Sequence, residues 1–330
     1  MRFIFPQLAL STALAGCVIE QDVRVRTQID NWYQAENNKV DILFVVDDSC
    51  SMEEEQEILA EGFASFAEQL ASSNTEFQLG VISTSFEYSD NDRGELIGNP
   101  PFLTQDDDYV TLFAERTALG ATGSDKEKGF EAADWAFVNP ENDGFLRDEA
   151  RLLIVFVSDE EDCSDEGALE GQAAEECYRQ KGKLVPVTQY MESYRALKDD
   201  PDDVLISAIV GTSKSRCEGA YPSNRYAQAA EITGGSIDDI CKTDWSDMLD
   251  DIGLEATGVR TSFQTSKAVR IDTLKVFVDD VRIKPDEADG WTWDEETWYL
   301  AFGLSEIPPR DSEIRAEYEV APGSVPPAVQ

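Results

Sequence analysis

The apolar positions of this chain fall into two textures. In the first, short and nearly unbroken apolar runs alternate with amphipathic stretches. Val40-Asp41-Ile42-Leu43-Phe44-Val45-Val46, Phe77 to Thr84, Leu152 to Val157 and Val204 to Val210 are such runs, and they fit parallel strands covered on both faces. After Glu53-Glu54-Glu55, the residues Ile58, Leu59, Phe63, Phe66 and Leu70 recur every three to four positions. That spacing predicts a helix through Ser73, with its acids where the helix dipole favours them. Further helices are predicted from Asp125 to Phe137, Val187 to Leu197, Arg225 to Thr233 and Trp245 to Leu254, the third ending at Gly234-Gly235. Ser236 to Cys241 suits a short strand. The stretch holding Asn99-Pro100-Pro101 and Asp106-Asp107-Asp108 reads as irregular. Strands alternating with helices over residues 39–257 predict an α/β fold built on a doubly wound, mostly parallel sheet.

After Gly258 the texture changes. Residues 273–279 and 314–320 alternate as half-buried strands, with Trp291, Trp293, Trp298, Tyr299 and Phe302 between them. This predicts a small C-terminal antiparallel β unit over 258–322, followed by a disordered tail at 323–330.

Charge narrows the function classes. The 330 residues carry a net charge of −40, which opposes nucleic-acid binding because phosphates would be repelled. There is no histidine, so a Ser-His-Asp triad and any imidazole-ligated zinc site are excluded. Neither a Gly-x-Ser-x-Gly elbow nor a phosphate loop occurs, and no enzymatic activity is expected; a carboxylate-based hydrolase is the residual enzyme reading.

The N-terminus reads as a processing signal. Met1-Arg2 precede the apolar run Phe3 to Ala15, too short to span a bilayer, which ends in Leu14-Ala15-Gly16-Cys17. Small residues followed by cysteine resemble a bacterial lipoprotein signal. The resemblance implies removal of residues 1–16, lipidation of Cys17, a polar tether over 17–38 and, with Val18 next, an outer-membrane anchor. An ordinary secretory signal with an incidental cysteine is the alternative.

The first apolar run ends in Asp47-Asp48-Ser49-Cys50-Ser51. A carboxylate and two hydroxyls at alternating positions are hard oxygen donors that a tight loop can turn toward one cation. This Asp-x-Ser-x-Ser loop after a buried strand resembles the metal-ion-dependent adhesion site of von Willebrand factor A domains. The resemblance assigns Asp47, Ser49 and Ser51 to the first metal loop, Thr122 to the second, with Ser124 and Thr117 as rivals, and Asp159 to the third. The implied ion is Mg²⁺ or Mn²⁺, with Ca²⁺ as a further candidate. The implied partner is a protein that offers a carboxylate to the open metal position, selected by the loops at 85–120 and 160–185. Together with Ser158-Asp159-Glu160-Glu161-Asp162-Cys163-Ser164, the pattern is similar to exported δ-proteobacterial proteins of this family. An envelope scaffold whose metal only stabilises the fold is the competing reading.

Two departures matter. Cys50 stands where the family usually has glycine, and acids crowd the third loop. Glu160, Glu161 and Asp162 form a candidate second cation site, with a solvated acidic loop as the plainer reading. Five cysteines beyond Cys17 cannot all pair internally. Cys163–Cys177 and Cys217–Cys241 close short loops and leave Cys50 over; Cys50–Cys163 is the rival pairing.

Overall fold

The computed structural model describes residues 26–34, 37–86, 93–217, 219–286, 289–295, 297–303 and 306–321. Cys17, the signal segment and the tail lie outside them. In chain order the first half comprises β1 (Thr27–Tyr33), β2 (Lys39–Val46), α1 (Glu53–Ser72), β3 (Glu76–Ser83), α2 (Tyr109–Thr117), α3 (Gly129–Ala136) and β4 (Arg151–Ser158). Then come α4 (Glu175–Arg179), α5 (Val187–Arg195), β5 (Val204–Val210), α6 (Asn224–Thr233), β6 (Ile237–Asp239) and α7 (Ser246–Ala256). The C-terminal strands are β7 (Ser262–Gln264), β8 (Lys275–Val278), β9 (Val281–Ile283), β10 (Trp291–Trp293), β11 (Tyr299–Phe302) and β12 (Glu313–Glu319).

Five parallel strands form the central sheet in the order β3-β2-β4-β5-β6. The unbroken apolar run of β2 is explained by its two covered faces. Val40, Ile42, Phe44 and Val46 point into one core with α1, α2 and α7, while Leu43 and Val45 point into another with α3, α5 and α6. Phe44 is the centre of the first core, edge-on to Phe63, Phe66 and Phe113 at 4.9–6.3 Å between centroids. The one acid in the run, Asp41, is fully buried. It accepts hydrogen bonds from the Arg147 backbone N–H and Nε, each at 2.7 Å, and Lys198 lies 3.5 Å away. Gly234 closes α6 in the left-handed region at φ +82°, as the sequence led one to expect.

Two of the departures from the sequence reading change the architecture. Helix α2 lies in the stretch read as irregular; of its apolar residues only Phe113 is buried, too little to leave a periodic signal. Residues 27–33, read as tether, form β1, paired antiparallel with β12 in the sheet β1-β12-β8-β9. Its inward positions include Asp30, which breaks the apolar alternation. Asp30 accepts hydrogen bonds from the Tyr318 hydroxyl at 2.6 Å and from Ser266 N–H and Oγ at 2.7 and 2.6 Å. The C-terminal β unit therefore takes one strand from the N-terminal segment. A second sheet, β10-β11-β7, faces it across a core of Phe263, Val276, Leu300, Ile314 and Tyr318. Gln34 ties the junction by donating to the carbonyls of Arg260 and Pro308 at 3.0 and 2.9 Å.

Replacing Phe44 by alanine removes the ring on which three others rest. It is expected to cost about 3–5 kcal/mol, read as a lowered urea midpoint at unchanged slope.

Candidate metal centre

Because β2 and β4 are parallel neighbours, their carboxyl ends lie side by side, and the residue after each strand is an aspartate. The Asp47 N–H donates to the Val157 carbonyl at 2.9 Å, which locks the two strand ends together. Asp47 is fully buried; its Oδ1 accepts from the Ser49 N–H at 2.8 Å and its Oδ2 from the Ser158 hydroxyl at 2.6 Å. The Ser49 and Ser51 hydroxyl oxygens are 3.3 Å apart. Asp159 is 2 % exposed, and its Oδ1 has no hydrogen-bond partner. Gly219, at φ +92°, backs this group; a Cβ there would stand 3.1 Å from Asp159 Oδ2 and 3.1 Å from Ser51 Cβ. The structure thus gathers Asp47, Ser49, Ser51 and Asp159 at one end of the sheet.

The second loop is fastened to the first by Gln56, whose Nε2 donates to the carbonyls of Asp47 and Gly120, each at 3.0 Å. The Gly123 N–H donates to the Asp48 carbonyl at 2.8 Å, which puts the preceding Thr122, an exposed residue, at the rim beside Asp48. Of its rivals, Thr117 is turned away, its hydroxyl donating to the Phe113 carbonyl at 3.1 Å within α2. Ser124 keeps its hydroxyl within its own turn, accepting from the Lys126 N–H at 3.0 Å.

The residue this loop sends into the centre is one the sequence reading did not select. Glu127 is fully buried, and carboxylate oxygens of Asp47, Asp48 and Glu127 lie within 4.8 Å of one another. The Thr84 hydroxyl donates to Glu127 Oε2, while Oε1 has no partner. Flanked by Lys126 and Lys128, Glu127 looks in sequence like one member of a surface charge pattern. Both lysines instead turn to the buried Asp165, at 3.4 and 2.9 Å. Asp48 gave a fainter signal, being the second acid of a doublet; its Oδ1 accepts from Ser83 and Ser85 hydroxyls, each at 2.7 Å.

Among the described residues no lysine or arginine pairs with Asp47, Asp48, Glu127 or Asp159. Burial pushes Asp159 up to about 7, with the charge of Asp47 adding to it against a hydrogen bond from Ser51. Burial likewise raises Asp47 to about 6, against hydrogen bonds from Ser158 and Ser49 and helped by the charge of Asp48. Glu127 is held well above the carboxylate range by burial and then by Asp47. Buried carboxylates without a counter-charge are costly when ionised, so they either keep a proton or hold a cation. Clustered hard oxygens, two of them unpartnered and buried, fit a divalent cation.

The third loop corrects two expectations. Glu161 and Asp162 are buried rather than solvated, and they do not converge with Glu160 on a second cation. Glu161 accepts from the Arg225 N–H at 2.8 Å and so caps α6. Asp162 accepts from the Phe130 N–H at 3.2 Å, at the start of α3, and from Arg225 Nε at 2.9 Å. Glu160 faces the Tyr178 hydroxyl at 3.5 Å instead. Helix termini and an arginine have taken up the charge that a cation would need. Disulfides join Cys163 to Cys177 and Cys217 to Cys241, and Cys50 is free and exposed, not bonded to Cys163.

No family model and no curated protein matches this chain. Among solved structures it is similar to a von Willebrand factor type A protein from Catenulispora acidiphila, at 12% identity and TM-score 0.41, over 91% of this chain and 66% of that one. It is also similar to the pilus adhesin SpaC from Lactobacillus rhamnosus GG in its open conformation, at 12% identity and TM-score 0.43, over 89% and 40% of the two chains. A third likeness is proximal thread matrix protein 1 from the mussel byssus, at 13% identity and TM-score 0.38, over 70% and 48%. The chain spans just under two thirds of the first of these and less than half of the other two. The α/β fold class rests on the strand order and the helices on both faces.

The raised acids give a pH signature. The folded protein holds the Asp47 and Asp159 protons more tightly than the unfolded chain does. Without cation, their contribution to stability is therefore complete below the ordinary aspartate range and is lost as pH rises through about 6 to 7. Thermal melts in chelator are expected to show this loss, on the order of a few kcal/mol, and Asp159→Asn should flatten it. Equal pH profiles for the wild type and Asp159→Asn would count against a proton-holding, cation-free centre.

Proposed function

We propose that this chain is a membrane-anchored, extracytoplasmic binding module that recognises a protein partner through a divalent cation. The supporting observation is the convergence of Asp47, Ser49, Ser51 and Asp159 at one sheet end, where buried carboxylate oxygens lack a counter-charge among the described residues. Asp47 and Asp159 would hold the cation, with the Ser49 and Ser51 hydroxyls beside them and Thr122 at the rim. When bound, the cation supplies a local positive charge on a protein of net charge −40. That local positive charge would attract an acidic group of a partner, so we assign such a group the coordination position that faces solvent.

The chain's own residues do the rest. Ser158 and the Ser49 N–H fix the Asp47 carboxylate, Gln56 clamps the first loop to the second, and Gly219 leaves room beside Asp159. The exposed Cys50, Thr122 and Tyr221 border the centre on the outside. Cys17 would carry the lipid, placing the module on the bacterial cell envelope, in the outer membrane. No helix among the described residues is long and apolar enough to cross a membrane.

Capture of envelope proteins by the full chain is expected to need Mg²⁺ or Mn²⁺, to be reversed by chelator, and to weaken at least about tenfold in Asp47→Ala. Capture that survives both treatments assigns the protein to a scaffold role instead. Cys17→Ser should move the chain from the membrane fraction to the soluble one.

A further inference from the structure

Glu127 is a buried acid with no counter-charge among the described residues. Its side chain is fully buried, and among the described residues Oε1 has no partner and Oε2 accepts from the Thr84 hydroxyl. Its backbone is pinned on both sides. The Glu127 carbonyl accepts from the Cys163 N–H at 2.6 Å, and the next residue's N–H donates to the Thr84 carbonyl at 3.1 Å. Lys126 and Lys128 are committed to Asp165, so neither turns back to neutralise it. The side chain thus projects inward from a fixed loop toward Asp47 and Asp48, its oxygen within 4.8 Å of theirs.

We propose that Glu127 is a direct ligand of the cation, the contribution of the second loop, and that it makes the centre prefer Ca²⁺ to Mg²⁺. This rests on the metal-binding reading above and extends it. Mg²⁺ requires near-ideal octahedral geometry, keeps several waters and is usually held by one or two carboxylates. Asp47, Asp48 and Glu127 are three carboxylates whose oxygens lie within 4.8 Å of one another, each able to give one or two oxygens, with Asp159 at the neighbouring strand end and the two serine hydroxyls on the far side of Asp47. Such a set suits the six to eight oxygens of Ca²⁺ and its tolerance of irregular geometry. Three acids also bind a divalent ion more firmly than two, because each removes one uncompensated buried charge when the ion arrives.

The test is ion binding to the full chain, followed by calorimetry with Ca²⁺ and Mg²⁺. Tb³⁺ luminescence lifetimes in H₂O and D₂O count the waters on an ion that stands in for Ca²⁺. The wild type is expected to bind Ca²⁺ at least about tenfold more tightly than Mg²⁺. Glu127→Gln keeps the shape and can keep the Thr84 hydrogen bond, yet should lose at least about tenfold in Ca²⁺ affinity and gain about one Tb³⁺-bound water. Should the glutamine variant fail to fold, Glu127→Asp keeps the charge but draws the carboxylate back, and the same losses are expected. Wild-type affinity and water count in a folded Glu127 variant overturn the proposal. If Asp47→Ala also binds as the wild type does, the metal-binding reading itself falls; if Asp47→Ala alone abolishes binding, that reading stands without Glu127.

Discussion

Two strands that run side by side in the same direction must end side by side, and here each ends in an aspartate. That adjacency places Asp47 and Asp159 in a buried setting that neither could tolerate ionised on its own. Most other features of this end of the sheet follow from holding the two acids in place. Ser158 and Ser49 orient one, Gly219 makes space by the other, and Gln56 keeps the neighbouring loop from drifting away. Glu127 intensifies the problem by bringing a further buried carboxylate up to Asp47 and Asp48, a charge that a cation would relieve.

The acids of the following loop show the opposite solution. Glu161, Asp162 and Asp165 are as buried as Asp159, yet each has donors. Helix N-termini, Arg225 and Lys128 meet them at ordinary hydrogen-bond distances. This satisfied network fixes the starts of α3 and α6, and with the Cys163–Cys177 disulfide it stiffens the wall of the centre. Acidity alone therefore does not mark a cation site. What separates Asp47, Asp159 and Glu127 from Asp162 and Asp165 is the absence of donors of opposite charge among the described residues, and what separates Asp159 and Glu127 from Glu161 is a buried oxygen with no hydrogen-bond partner.

The remaining architecture supplies rigidity behind these loops. Alternate residues of β2 feed two separate aromatic-rich cores, so the strand leading into the Asp-x-Ser-x-Ser loop is gripped from both faces. The β unit draws β1 and β12, from opposite ends of the described chain, into one sheet. Residues 27–33 are by this route fastened to the β unit ahead of β2.

How much of this was legible in the sequence depends on the range of the interaction concerned. The runs at 40–46, 152–157 and 204–210 announce buried strands because burial on both faces demands apolar residues at every position. The Asp-x-Ser-x-Ser loop is legible because its donors are two residues apart, and α6 ends at Gly234 because the left-handed cap is local. Strand β1 was hidden because its inward Asp30 is satisfied by Tyr318 and Ser266, residues more than two hundred positions away. Glu127 was hidden for the same reason: whether an acid between two lysines pairs with them or turns inward is decided by Asp165, across the fold. The sequence by itself determined the central strands, most of the helices that alternate with them and the Asp-x-Ser-x-Ser loop, because those depend on neighbours along the chain. Only the tertiary structure decided which acids keep a counter-charge and which go without one, because a buried charge is settled by what packs against it in space.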